Sequence, residues 1–160
     1  MDAKFFRLLT DIPERLLSCR SKVICHQKMK QLVRYYLDTD VVSDFYKDDE
    51  VAQSCMDRRV SQLSGGERRY LEAKLLLLGD TKFVLLDEPF DYLSFHLADK
   101  LIELIKKHSV NKGIVISDHN YGKVLEVVNR LTLIREGVLL ELTDKRGLVE
   151  QGYLLSESYL

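Results

Sequence analysis

Residues 63–89, LSGGERRYLEAKLLLLGDTKFVLLDEP, are the stretch that decides the fold of this 160-residue chain. Two adjacent glycines are followed by a run that is apolar around most of a helical circumference, which predicts a largely buried helix. Gly79 closes that helix, as glycine after a helix often does. Residues 83–86 then form a continuous apolar strand that ends in Asp87 and Glu88. Such a strand is typical of the centre of a parallel sheet, covered on both faces.

The rest of the chain predicts an alternation of strands and helices on either side of this stretch. Apolar spacing and turn residues predict strands at 4–9, 21–25 and 113–117, an amphipathic helix at 27–37, one or two helices within 38–56, helices at 94–108, 124–128 and 144–150, and a hairpin of residues 131–134 and 138–142. Residues 113–117, GIVIS, read as a second buried strand. The alternation from residue 82 to 129 indicates an α/β fold with a sheet of parallel type.

Polar residues follow two of these strands where each ends, which is where parallel α/β sheets place their working residues. One strand runs into Asp87 and Glu88, the other into Ser117, Asp118 and His119. Two adjacent carboxylates suit hydrolysis of a magnesium nucleotide, because one can hold the metal or its water and the other can polarise the attacking water. The alternatives are a capping or solvated turn for the carboxylates and a packing role for the histidine.

The residues Ser64, Gly65 and Gly66 provide a second candidate site. Paired glycines expose backbone N–H groups, and the helix that follows directs its positive end at whatever binds there. Ser64 can cap that helix and also offer its hydroxyl to a phosphate oxygen. Read alone, the same residues fit a flexible turn.

Three motifs together resemble the ABC-type ATPase family: LSGGERR at 63–69, FVLLDEP at 83–89 and SDH at 117–119. Their order, spacing and strand context match that family over about residues 27–153. The resemblance implies an α/β fold with a P-loop NTPase-like core, a mainly parallel sheet and a small helical subdomain. Residues 1–160 would then be a partial ATP-binding domain, with the helical subdomain at about 27–78, including the signature helix, and the core part at about 82–160.

The resemblance also implies a role for each motif residue, with ATP and Mg²⁺ as cofactors. Asp87 would lie near Mg²⁺, Glu88 would be the general base, and His119 would contact the γ-phosphate as the switch histidine. The family's Q-loop glutamine, which touches Mg²⁺ or the attacking water, corresponds to Gln27, although a glutamine before a helix is also common without such a role. The signature residues that would bind ATP are Ser64, Gly65, Gly66 and Glu67. Residues 90–94, FDYLS, match the family's D-loop except that Ser94 replaces the usual aspartate.

The sequence departs from the family in having no G-x-x-x-x-G-K-[ST] phosphate-binding loop. Its one Gly-Lys pair, Gly122 and Lys123, is followed by Val124 and has Ser117 where the first glycine belongs. Because that loop binds most of the triphosphate charge, we expect the isolated chain to be inactive as an ATPase. An internal start at Met1 and a genuine remnant both explain the departure, and the intact Glu88 and His119 favour the first.

The family resemblance implies an ATP-binding and ATP-hydrolysing subunit of an ABC transporter. Its partners would be a second cassette, arranged head to tail as a homo- or heterodimer, and separate transmembrane subunits that hold it at the cytoplasmic face of the membrane. A formal net charge of −1 gives no electrostatic footprint for nucleic acid. Three cysteines without a C-x-x-C pair favour reduced cytosolic thiols. The alternatives are a soluble, non-transport ABC-type ATPase and a catalytically incompetent interaction module.

Overall fold

The computed structural model of the chain describes residues 26–144 and 146–153. These residues divide into two compact units, one ending at Ser117 and the other beginning at Asp118, and each unit is described by itself. The strands predicted at 4–9 and 21–25 lie outside the described residues. Within the described ranges, no helix is both long and apolar enough to cross a bilayer.

The first unit contains five α-helices, a single 3-10 turn and two strands among its described residues. Their bounds are α1 Met29–Tyr36, α2 Thr39–Tyr46, α3 Glu50–Cys55, the 3-10 turn Val60–Gln62, α4 Gly65–Leu78, β1 Phe83–Asp87, α5 Phe95–His108 and β2 Gly113–Ser117.

The helices of the first unit form where the sequence predicts them. Helix α4 begins behind Ser64, whose side chain accepts a hydrogen bond from the Glu67 amide, and ends at Gly79. Its apolar run packs against α5, with Leu71, Leu77 and Leu101 almost fully buried. Burial of each such leucine is worth roughly 1.5–3 kcal/mol, which makes this helix pair the centre of the core.

Strands β1 and β2 pair in parallel, and their register aligns Leu85 with Val115 and Asp87 with Ser117. The prediction that both strands are covered on both faces is wrong for one face. Val84 and Leu86 are buried, whereas Phe83 and Val115, on the opposite face, are 54% and 59% exposed. Successive side chains of a strand point to opposite faces, so a covering layer on one side buries only every second residue.

The second unit contains α6 Tyr121–Leu125, the strands β3 Leu131–Arg135 and β4 Val138–Leu142, and α7 Gly147–Glu150. The strands form the predicted antiparallel hairpin, in which Arg135 aligns with Val138 around the Glu136–Gly137 turn. Both turn residues have positive φ, 51° and 79°, as a two-residue hairpin turn requires. Helix α6 starts earlier than the predicted helix at 124–128, because the Asn120 side chain accepts a hydrogen bond from the Lys123 amide and caps it there.

Candidate functional site

The beginning of α4 lies partly at the surface. Ser64 and Gly65 are exposed, and Ser64 forms a capping box with Glu67. The Ser64 amide donates to Glu67 Oε2 at 2.7 Å, and the Glu67 amide donates to Ser64 Oγ at 3.1 Å. The amides of Gly65 and Gly66 occupy the first helical turn, where no preceding carbonyl is available as an acceptor. An anion is therefore a suitable partner for these two amides.

Glu67 holds this helix end in shape through two hydrogen bonds. One of its oxygens accepts from the Ser64 amide, and the other accepts from the Arg58 guanidinium at 2.7 Å. Burial would raise the pKa of Glu67, but the hydrogen bonds from Arg58 and Ser64 outweigh it and lower that pKa. The carboxylate is therefore ionised and paired with the Arg58 guanidinium and the Ser64 amide.

The buried Gly66 is required by the turn that lies against it. A Cβ atom on Gly66 would lie 2.8 Å from the Tyr92 carbonyl oxygen, whereas one on Gly65 would approach only the Tyr92 side chain, at 3.7 Å. Residues 88–92 form this turn, with Glu88 and Tyr92 both at positive φ, 47° and 61°. The glycine pair thus brings the start of α4 into contact with the segment that follows β1.

Asp87 and Glu88 lie at the exposed carboxyl end of the parallel strand pair. The Ser117 hydroxyl donates to Asp87 Oδ1, and the Glu88 amide donates to the Ser117 carbonyl at 2.7 Å. These contacts place two carboxylates side by side at the edge where β1 and β2 both end. Exposed carboxylate oxygens are ligands that Mg²⁺ accepts, so the residues present fit a magnesium ion.

Gln27 and His119 lie in different surroundings. The Gln27 carbonyl accepts from the Val60 amide at 3.1 Å, which ties the residue to the segment before α4. His119 belongs to the second unit, where its side chain is 69% exposed and its Nδ1 is 3.9 Å from Asp118 Oδ1. The first unit therefore contains every predicted site residue except His119.

A buried polar cluster behind the site was not predicted from the sequence. Asp49 accepts hydrogen bonds from the Val51 and Ala52 amides, from the Tyr70 hydroxyl at 2.7 Å and from Lys74. Tyr70 and Lys74 are one turn apart on α4, so this carboxylate fixes α4 to the start of α3. Burial would raise the pKa of Asp49, but the bonds from Lys74 and Tyr70 lower it.

Glu72, on α4, is a second buried acid, and it has no such compensation. It is 5% exposed, and neither of its carboxylate oxygens has a hydrogen-bond partner in the described part of the chain. Burial raises its pKa to about 7, with only partial opposition from the nearby Arg69 and Arg68. No sequence signal indicated this, because a glutamate in an otherwise apolar helix usually faces solvent.

Comparison with known proteins identifies the relatives of this arrangement. No family model matches the chain. It is 35% identical over 94 residues to ABC transporter A family member 11 of Dictyostelium discoideum, covering 59% of this chain and 11% of that protein. It is 37% identical over 87 residues to the lipopolysaccharide export system ATP-binding protein LptB of Escherichia coli K12, and 32% identical over 87 residues to the thiamine import ATP-binding protein ThiQ of Yersinia pestis. These matches cover 52% and 53% of this chain, but only 35% and 37% of the two bacterial proteins.

Solved structures show the same relationship in the fold. An archaeal ribosome recycling factor, in complex with a ribosomal stalk protein, matches 70% of this chain with a TM-score of 0.60 and 25% identity, over 23% of its own length. An ATP-binding cassette of an ABC transporter in its ADP conformation matches 65% of the chain with a TM-score of 0.50 and 21% identity, over 42% of its own length. The predicted resemblance to ABC-type ATPases and the predicted α/β, P-loop NTPase-like fold are thereby confirmed.

Proposed function

We propose, starting from this resemblance to ABC-type cassettes, that the chain supplies the signature face and the hydrolysis carboxylates of ABC-type ATP sites, as the ATP-binding and ATP-hydrolysing component of an ABC transporter. The observation that carries the proposal is the beginning of α4, where Ser64 and Gly65 lie at the surface in a first turn whose amides have no preceding helical carbonyl to bond. This end of the helix is ready to receive a phosphate oxygen.

The proposal gives the signature residues a role at an ATP molecule held by another cassette. The Ser64 hydroxyl and the Gly65 and Gly66 amides bind terminal phosphate oxygens of that nucleotide, where the helix dipole favours negative charge. Glu67 acts indirectly, because its carboxylate holds the Ser64 amide and Arg58. ATP thus joins two cassettes arranged head to tail.

The residues at the end of β1 serve a second nucleotide site, whose P-loop motif does not occur among these 160 residues. Asp87 and Gln27 would hold Mg²⁺ or its water, and Glu88 would take a proton from the attacking water. The chemistry that Mg²⁺ would supply there is neutralisation of charge on the phosphate oxygens. For His119, in the second unit, the resemblance implies a contact to a γ-phosphate, which imidazole suits because it can both donate and accept hydrogen bonds.

The partners that we propose for this chain are those that the family resemblance implies. A second cassette supplies the P-loop that faces Ser64, and separate transmembrane subunits carry the transported substrate. The chain then works at the cytoplasmic face of the membrane. The names of the ThiQ and LptB relatives, which refer to import of thiamine and to export of lipopolysaccharide, support a transport role without indicating the substrate or direction here.

Calorimetry and affinity capture test the proposal on the 160-residue chain. We expect no micromolar binding of Mg-ATP by the chain alone, and micromolar binding would overturn that part of the proposal. We expect the tagged chain to retain a P-loop-bearing cassette from its native cells when Mg-ATP and vanadate are present, and to lose it when nucleotide is omitted.

Two variants make the capture specific. Ser64→Arg places a cation and extra bulk at the proposed phosphate contact and should abolish the ATP-dependent retention. Glu88→Gln is the matched control, because Glu88 serves the other nucleotide and should leave retention unchanged. Retention that does not depend on ATP or on Ser64 contradicts the proposal.

A soluble ABC-type ATPase is the second candidate, favoured by the fold similarity to the archaeal ribosome recycling factor, which is the higher of the two TM-scores. The same capture separates the candidates. Retention of a membrane subunit with the cassette supports the transporter, and retention of nucleic acid or ribosomes supports the soluble enzyme. If neither is retained, the result supports an interaction module.

A further inference from the structure

The side chain of Arg58 joins three points around the beginning of α4. One guanidinium nitrogen donates to Glu67 Oε1 at 2.7 Å, and the other donates to the Gln62 carbonyl. The first nitrogen also lies 3.6 Å from the Cys55 sulfur, at the end of α3. The guanidinium therefore bonds both sides of residues 62–66, which we call the signature loop. A planar, rigid fork of donors fixes both bonds in one geometry.

The backbone of the same residue is bonded to the Gln27 segment, defined as residues 27–29. The Met29 amide donates to the Arg58 carbonyl at 2.9 Å, and the Val60 amide donates to the Gln27 carbonyl at 3.1 Å. Between these bonds, Lys28 and Arg59 form an isolated antiparallel bridge. Any displacement of the Gln27 segment therefore acts on the backbone from which the Arg58 side chain extends.

We propose that Arg58 is a positioning residue that transmits the position of the Gln27 segment to the signature loop. The inference rests on the proposed function, in which Gln27 attends one nucleotide and Ser64 attends the other. Arg58 touches neither nucleotide, and it acts by fixing the Gln62 carbonyl and, through Glu67, the Ser64 amide. The two ATP sites to which this chain contributes are then mechanically linked within it.

The electrostatics around the fork are consistent with this role. The bonds from Arg58 and Ser64 outweigh burial and lower the pKa of Glu67, so the carboxylate stays ionised near neutral pH. Charge-assisted hydrogen bonds of this kind are about twice as strong as neutral ones. The neighbouring Arg59 is exposed and has no ion pair among the described residues, which makes it a matched control.

Amide hydrogen exchange of the full chain, measured by NMR without nucleotide, tests the positioning role. Arg58→Met should accelerate exchange of the Ser64 amide about tenfold, because the Glu67 carboxylate, which accepts the hydrogen bond from that amide, is no longer held in place. Arg59→Met should leave that rate unchanged, and the Ala98 amide, bonded to the Ser94 carbonyl at 2.9 Å, reports whether the core is intact. Equal Ser64 rates in the two variants overturn the proposal. Glu67→Gln, which can keep the capping box but loses the ion pair, should repeat the acceleration and provides the test should Arg58→Met not fold.

A double-mutant cycle tests the coupling itself. Gln27→Gly loosens the Gln27 segment and should accelerate exchange at Ser64 about fivefold when Arg58 is present. In the Arg58→Met background, or in Glu67→Gln, the same change should have less than a twofold effect. If Gln27→Gly accelerates exchange at Ser64 equally with and without the Arg58 guanidinium, the coupling is overturned. Because no nucleotide is present, a failed ATP-dependent capture would reject the proposed function and leave this result unaffected.

Discussion

The signature loop and the tip of β1 differ in which parts of the chain hold them. The hydrogen bonds that hold the signature loop come from residues close to it in sequence, since Glu67 and Arg58, which supply them, are nine residues apart. The tip of β1 is held across the sheet by Ser117, 30 residues from Asp87. Local bonds therefore shape the signature end, whereas the carboxylate end depends on the register of two strands.

The largest expected effect comes from the cluster that fixes α4. Asp49→Ala removes the carboxylate that pairs the buried Lys74, and leaving one buried charge unpaired costs about 3–5 kcal/mol. Lys100→Met is the matched control, because Lys100 is farther from Asp49, at 3.7 Å, and more exposed. Urea denaturation should show a loss below about 1 kcal/mol for the control. Equal losses would show that the charge of Asp49 does not fix α4.

The second effect depends on pH and concerns Glu72. Its folded-state pKa of about 7 lies above the ordinary 4.5, so the folded state binds the proton more tightly and stability falls as pH rises from about 4.5 to 7. Glu72→Gln removes that loss, and by about pH 8 the variant should exceed the natural protein by as much as ~3 kcal/mol. At pH 4 the two should differ little. A stability difference that does not change between pH 4 and 8 would show that the carboxyl titrates normally.

A third test compares Gly65 and Gly66, which lie where the start of α4 meets the turn after β1. Gly66→Ala forces a Cβ against the Tyr92 carbonyl, at 2.8 Å, and overpacking of this kind costs about 1–3 kcal/mol. Gly65→Ala meets only an ordinary contact at 3.7 Å and should be neutral or stabilising by up to about 1 kcal/mol, because alanine is the better helix former. Denaturation midpoints of the pair measure this. Similar losses for both would mean that the turn after β1 does not press on α4.

The smallest effects come from removing one hydroxyl at each end. Ser64→Ala deletes the cap of α4 and should cost about 1 kcal/mol. Ser117→Ala deletes a single exposed bond to Asp87 and should cost no more than about 0.5–1 kcal/mol. Thermal denaturation of the two variants measures these losses of stability. A larger loss for Ser117→Ala than for Ser64→Ala would contradict the expectation.

The features predicted from sequence are those that depend on neighbouring residues. The serine three positions before Glu67 marked the cap of α4, and Glu136 with Gly137 marked the hairpin turn. The Asp49 cluster was missed because its partners Tyr70 and Lys74 are 21 and 25 residues away, and no periodicity relates them. The exposure of Val115 was missed because burial of a strand depends on what covers the sheet, which an apolar run does not specify.

The turn after β1 has a consequence for attempts to improve the protein. Glu88 and Tyr92 both adopt a left-handed backbone that side chains disfavour, at a cost of order 1–3 kcal/mol each. A screen for heat-resistant variants should therefore select glycine or asparagine at both positions. At Tyr92 such a replacement yields a more heat-stable protein, whereas at Glu88 it removes the proposed base. Selection for stability alone would thus tend to remove the proposed base from this turn.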